Sequence, residues 1–329
     1  MDGGLPFSHA ALIHRGPDEY RSALLAAAER ARAQGAAVVV VAPPARLEML
    51  RGLLGGRGGA ANLVDITQFG RNPGRLITGY QRCIRSHLER PVLLVAEPIW
   101  PGRTREEIEE VIVHEALCNE AFADAAVTLL CPFDSGALEA SVLEELRRAH
   151  CAPAGNGESG SPHGHEDEVA RRLLKPLEPI PERGATMPVS LSDLPAVRAR
   201  LAEEATKAGL TPPRRADWVL AVHELLTNSI RHGGGGELEL WSSSERVIAE
   251  VRDRGKIEDP LVGRTDPGPS REGGLGLWIV NQLCDLVQLR TGDSGTTVRV
   301  QLAASRAPSR AATGSSAAPG ADQGSRTLD

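Results

Sequence analysis

The sequence predicts two domains, an α/β domain with a mostly parallel sheet followed by an α+β sandwich. Three observations carry this. Over residues 7–150, continuous apolar runs such as Val38–Ala42 and Val92–Ala96 alternate with helical patterns, as expected of strands buried on both faces. Over residues 186–303, amphipathic helical runs accompany alternating strands that follow one another closely. Between them, residues 151–185 turn to Pro, Gly, Ser and charge, the composition of a flexible linker. Residues 304–329 hold almost nothing to bury and are predicted to be disordered.

Taken in order, Ala10–His14 reads as a strand and Pro17–Gln34 as a helix opened by proline. Val38–Ala42 is a buried strand, Arg46–Leu54 a helix, Leu63–Ile66 extended and Pro73–Glu89 helical. Val92–Ala96 is a second buried strand, Arg105–Ala123 a helix and Val127–Cys131 a third. Val169–Leu174 allows one or two helical turns inside the linker, where His163-Gly-His165 reads as a surface accident and not a metal site. Further on, Met187–Leu191 is a strand and Leu194–Ala208 a helix with Val197, Leu201 and Ala205 on one face. Residues 212–232 form one helix, followed by strands Glu237–Ser242 and Arg246–Arg252, a helix over 275–286, and strands near Val287–Arg290 and Thr297–Leu302.

A net charge of -6 with both signs interspersed argues against direct DNA binding. No apolar run approaches the length of a membrane span and the first residues lack a signal-peptide pattern, so a cytoplasmic protein with no membrane contact is expected. The five cysteines never form C-x-x-C and read as idle thiols of a reducing compartment.

The chemistry concentrates in the second half. Glu224, Asn228 and His232 are spaced four apart, so a carboxylate, an amide and an imidazole share one helix face. An amide oxygen is a hard neutral ligand suited to Mg²⁺, and a carboxylate one turn earlier can orient an attacking hydroxyl. Asp253 ends an alternating strand just before Gly255, where it can accept a hydrogen bond from the exocyclic amine of adenine; guanine presents an acceptor there. Gly273, Gly274 and Gly276 precede an amphipathic helix, leaving its first N–H groups open to phosphate. The Pro- and charge-rich segment Lys256–Glu272 between them reads as a lid.

In that order and spacing the motifs resemble the N, G1 and G2 boxes of the GHKL ATPases, the gyrase, histidine kinase and MutL type. The resemblance spans residues 186–303 and implies a Bergerat-type sandwich holding ATP and Mg²⁺. It places Mg²⁺ on Asn228, makes Glu224 the base, and seats adenine on Asp253 with support through water from Thr297. His232, Gly255, Gly273, Gly274 and Gly276 would surround the nucleotide. Ile257 departs from the pattern, standing where many members carry a second G1 glycine, which bears on entry to the lid.

In the first half, ligands are expected beyond the carboxyl ends of the parallel strands. The first such end, Ala42-Pro-Pro-Ala-Arg46, has neither the glycines nor the lysine of a P-loop, which excludes nucleotide hydrolysis there. Glu97, Trp100, His114 and Asn119 are the candidate lining of a small-molecule pocket, although each also fits a purely structural role. Phe7-x-His9, Arg15–Tyr20, Gly70–Pro73, Glu97–Arg103, His114–Asn119 and Cys131–Asp134 resemble the MEDS sensory domain. That resemblance covers residues 7–150 and implies a RecA-like sheet without a P-loop and a small organic ligand.

Residues 151–186 are too short and Pro/Gly-rich for the dimerising hairpin of a histidine kinase, and no transducer domain follows residue 303. The second half therefore resembles the anti-sigma-factor serine kinases of partner-switching systems. This implies a sigma factor and an anti-sigma antagonist as partners, phosphorylation of a serine on the antagonist, and a homodimer. Two other activities stay open: a non-catalytic ATP-binding module that sequesters a sigma factor, and an atypical sensor histidine kinase.

Overall fold

The structure, a computed structural model, describes residues 7–55, 61–87, 89–150, 152–153, 165–182, 184–268 and 274–304. The apolar runs of the first half form parallel strands β1 (Ser8–His14), β2 (Ala37–Ala42), β3 (Asn62–Asp65), β4 (Val92–Ala96), β5 (Val127–Asp134) and β6 (Ala152–Pro153). Their order across the sheet is β3-β2-β4-β5-β1-β6. Side chains alternate across each strand, so Val38, Val40 and Ala42 of β2 join one core while Val39 and Val41 join another. Helices α1 (Gly16–Ala33) and α2 (Pro44–Leu54) cover the first face. Helices α3 (Leu76–Ile84), α4 (Arg105–Ala121) and α5 (Ala140–Ala149) cover the second.

Helix α4 is the element about which both halves are arranged. A capping box starts it: the Thr104 hydroxyl accepts from Glu107 N–H at 3.2 Å and the Glu107 carboxylate from Thr104 N–H at 3.0 Å. Every residue from Glu110 to Asn119 is buried, so the helix is enclosed on all sides.

Helix α6 (His165–Leu174) packs against α4 through Val169 and Leu173, with Arg172 bridging Glu168 and Glu145. The expected linker is thus helical over its second part. Val169 and Leu173 lie one turn apart, and burying them compensates the ordering of the backbone. The rest of the predicted linker apart from residues 165–182 and 184, including His163, lies mostly outside the described residues, as do residues 305–329 of the predicted disordered tail.

In the second half, β7 (Ala185–Val189), β8 (Gly236–Ser242), β9 (Arg246–Asp253), β10 (Leu286–Gly292) and β11 (Gly295–Ala303) form an antiparallel sheet in the order β10-β11-β9-β8-β7. Helices α7 (Leu194–Lys207), α8 (Pro212–His232) and α9 (Leu275–Leu283) lie on one face. Prolines 212 and 213 open α8 after an extended Thr211, its Trp218 is fully buried, and Gly233 ends it by donating to the Ser229 carbonyl at 2.8 Å.

Several helices differ from expectation, most by one to four residues at an end. Residues 140–149, unassigned above, form α5 because Leu143 and Leu146 reach the core. The predicted helix Pro73–Glu89 is divided into a 3-10 turn (Pro73–Arg75), α3 and a second 3-10 turn (Arg85–His87). The predicted helix over Arg105–Ala123 ends two residues early, at Ala121. Helix α9 stops at Leu283 and not at 286, since Asp285 N–H bonds the Gln301 carbonyl and starts the β10 ladder.

Candidate functional site

A cleft of about 280 Å³ opens between α8, α9 and the sheet, and the three predicted motifs meet there. Asn228 and His232 project from α8, Asp253 from the end of β9, and Gly255 from the loop after it. Gly274 and Gly276 border it at the start of α9, and Leu225, Val251, Val262, Leu277 and Val298 supply an apolar floor. Gly274 has φ +81°, a left-handed conformation that glycine adopts without strain, and it is the N-cap residue of α9. Gly273 lies outside the described residues.

Close approach explains the glycine at 276. A methyl group there would stand 3.0 Å from both Asn228 Nδ2 and Glu224 Oε2, so the first turn of α9 rests directly on the paired amide and carboxylate. Glu224 does not line the cleft itself, although its carboxylate reaches the same helix start. Gly276→Ala is expected to weaken nucleotide binding about tenfold, from ~1–3 kcal/mol of overpacking, with the fold retained. Nucleotide titration calorimetry together with far-UV circular dichroism checks this.

At the opposite end, Asp253 Oδ1 accepts from Gly255 N–H at 2.8 Å. Burial pushes the Asp253 carboxyl above its ordinary value, and the Gly255 bond opposes that shift. Of the two threonines at the start of β11, Thr296 lines the cleft and the expected Thr297 does not. Thr296 sits opposite Asp253 in the ladder, lines the cleft and donates to the Gly255 carbonyl at 2.8 Å, while Thr297 pairs with Arg252 and faces the other side. The pleat decides this: Val298, Val300 and Leu302 are all buried on the helix side, and Thr296 continues their series. Thr296 also contacts the Thr291 hydroxyl at 2.9 Å, which in turn accepts from Ile257 N–H at 3.0 Å. Ile257 is therefore accommodated through its backbone.

The predicted sensory quartet does not come together. Glu97, at the end of β4, accepts from Tyr20 of α1 and, at 3.0 Å, from Arg46 of α2; Arg46 also stacks on the Tyr20 ring. Trp100 stacks against the Arg103 guanidinium at 3.7 Å. His114 is buried beside Tyr80 and Cys118, and burial lowers its imidazole to about 3. The sheet separates Glu97 from His114 and Asn119, because α1 and α2 lie on one face and α4 on the other, while Trp100 packs on the α4 side. Asn119 lines a larger cavity of about 660 Å³ between α4, α6 and the loop Lys256–Pro260. Lys256, Ile257 and Glu258 line both this cavity and the cleft between α8, α9 and the sheet, forming a shared wall.

The two halves are tied by buried polar contacts that no sequence motif announces. Glu110 of α4, fully buried, accepts from Arg290 of β10 at 2.7 Å and from Arg264 at 3.4 Å. Asn72 donates to the Asn281 carbonyl of α9 at 2.9 Å, Asn281 donates to the Gly263 carbonyl at 3.0 Å, and Thr78 donates to the Arg264 carbonyl at 2.9 Å. The N-terminal domain thus contacts both α9 and Arg264, which lies within the segment Lys256–Glu272 expected to form a lid.

Two family models match the chain. Residues 8–151 match the family model described as MEDS, the methanogen/methylotroph DcmR sensory domain, and residues 187–302 match the histidine kinase-like ATPase domain. The serine-protein kinase RsbW of Halalkalibacterium halodurans is 30% identical over 126 residues, which is 34% of this chain and 77% of that protein. The chain belongs to the RsbW family. A second RsbW, from Listeria monocytogenes serotype 4a, is 30% identical over 116 residues, 31% of this chain and 73% of its own length. The solved RsbU and RsbW domains of a Mycobacterium tuberculosis protein are similar at 22% identity with a TM-score of 0.26, over 36% of this chain and 32% of that one; likeness at this level adds nothing on the fold. Here the stretch that matches RsbW follows one that matches the MEDS model. No described helix is long and apolar enough to cross a membrane.

Proposed function

We infer that this RsbW-family chain is an ATP-dependent protein serine kinase that acts on an anti-sigma antagonist and alternately holds a sigma factor, under control of its N-terminal sensory domain. The observation that carries the reading is the convergence of Asn228, Asp253, Gly274, Gly276 and Thr296 on one cleft of about 280 Å³. Its donor set fits the nucleotide: a carboxylate acceptor for an amine at one end, and a neutral amide oxygen beside an open helix start at the other.

Asp253, held by Gly255 N–H and backed by Thr296, selects adenine. Asn228 provides the amide oxygen for Mg²⁺, which when bound offsets charge on the phosphates. The N–H groups at the start of α9 orient the phosphate end, and Glu224 receives or orients the proton of the acceptor serine. The small-molecule ligand belongs in the cavity bordered by Asn119, because its far wall is the Lys256–Glu258 loop of the nucleotide cleft.

Labelled Mg-ATP, the full chain and its antagonist protein should yield acid-stable phosphoserine on the antagonist. Asn228→Ala should reduce the rate by at least ~100-fold, the order expected when a group acting on transferring phosphate is lost. Absence of phosphoserine with ATP still bound would leave the sequestering module, and acid-labile label on this chain would make it a histidine kinase.

A further inference from the structure

Four side chains from distant parts of the N-terminal domain converge in its interior: His9 of β1, Glu115 of α4, Cys131 of β5 and His150 just after α5. One ligand atom from each lies within 4.8 Å of all the others, and all four residues are buried. His9 Nε2 is 3.0 Å and His150 Nε2 is 3.2 Å from the same Glu115 oxygen, while Cys131 Sγ is 3.5 Å from His9 Nε2. The kinase reading uses none of them.

The proton count around this cluster is informative. Asn119 Nδ2 donates to the carbonyls of Ala116 and Ala149, at 3.1 and 2.8 Å, so its Oδ1 is an acceptor. His9 Nδ1–H therefore donates outward to Asn119 Oδ1 at 2.9 Å. Likewise His150 Nδ1–H donates outward to the Leu146 carbonyl at 2.6 Å. Both neutral rings then turn a bare Nε2 lone pair toward a carboxylate oxygen, placing three acceptors face to face in a dry interior. The Cys131 thiol can supply one proton to this group. Glu115 Oε1 and His150 Nε2 are left without a hydrogen-bond partner. A histidine whose outer N–H is fixed by a carbonyl and whose inner nitrogen is free is the arrangement found around bound transition metals, where the outer bond sets the tautomer.

We propose that His9, Glu115, Cys131 and His150 form a four-coordinate site for a divalent transition ion of the zinc class. Two nitrogens, one thiolate and one carboxylate oxygen are the ligands that such an ion selects over Mg²⁺ or Ca²⁺. Separations of up to 4.8 Å close to tetrahedral contact by small side-chain adjustments. Charge also balances, since the ion displaces one proton from Cys131 and its two positive charges meet one thiolate and one carboxylate. The site is closed by four protein ligands, so it staples β1, α4, β5 and the end of α5 together and does not catalyse. Because α4 also carries Glu110, the stapled helix is the one that grips the ATPase half.

The full chain, stripped with chelator and titrated with Co²⁺, should bind one equivalent, release one proton per ion and develop sulfur-to-cobalt charge-transfer absorption in the near ultraviolet. Zn²⁺ should displace the cobalt and raise the melting temperature. Cys131→Ser should abolish the charge-transfer band and weaken Zn²⁺ binding by roughly 100-fold or more, while Asn119→Ala keeps the band and weakens binding ~10–100-fold. Cys83→Ser, at a partly exposed cysteine outside the cluster, should change nothing. Folding of each variant is judged by circular dichroism without metal. Absence of stoichiometric Co²⁺ binding by folded wild-type chain would overturn the assignment, as would an unchanged cobalt spectrum in Cys131→Ser. A Cys131→Ser chain that does not fold is replaced by His150→Gln, which must then lower the affinity.

Discussion

Glu110→Ala should destabilise the chain strongly, far more than any substitution in the nucleotide cleft. Its carboxylate is fully buried between the guanidinium groups of Arg290 and Arg264, the latter held below its ordinary pKa by burial. Removing it leaves two buried cations with no counter-charge among the described residues, a loss of ~3–5 kcal/mol for a broken buried pair. Thermal unfolding should shift downward by several degrees per domain-sized unit, at about 2–4 °C per kcal/mol. Limited proteolysis should find new cleavage near the Arg264 segment. Replacing Glu110, Arg264 and Arg290 together with Met should recover most of the loss, because no charge is then stranded in the interior. A Glu110→Ala chain that melts like wild type would mean that the two halves do not pack as described.

Asp253→Asn should lower ATP affinity by roughly 10–100-fold, since a hydrogen bond to a charged acceptor contributes ~1.5–3 kcal/mol. The change keeps the shape of the side chain and its Oδ1 bond from Gly255 N–H, so melting without nucleotide should move little. Selectivity should respond as well: an amide can donate where the carboxylate could only accept, so ATP and GTP should bind more nearly alike. Titration calorimetry with both nucleotides reads both effects. The pH dependence has a defined sign. The ionised carboxylate is the form that accepts the adenine amine, and burial raises its pKa. ATP affinity should therefore be full at neutral pH and decline on acidification at a higher pH than for an ordinary aspartate. The Asn variant should lose that acid limb.

Much of the nucleotide cleft was legible because its parts are local. The helix over 212–232 follows from apolar spacing and two prolines, and it appears with those bounds. Four-residue spacing alone places Asn228 and His232 on the cleft side. The threonine implied by the resemblance, Thr297, is one residue off: the alternation Val298, Val300, Leu302 points back to Thr296. Helix α6 was half legible from Val169 and Leu173, but whether those residues find a surface to cover depends on α4, a distant stretch of the chain.

The sequence by itself determined the alternation that makes one sheet parallel and the other antiparallel, and the motifs that line the nucleotide cleft. Each of these depends on spacings of two to four residues along one strand or helix. Only the tertiary structure decided that Glu97 and His114 lie on opposite faces of a sheet, that Glu110 meets Arg264 and Arg290, and that His9, Glu115, Cys131 and His150 share one interior space. Those juxtapositions span tens to hundreds of residues, and they are set by which buried faces pack together. No local periodicity records that choice.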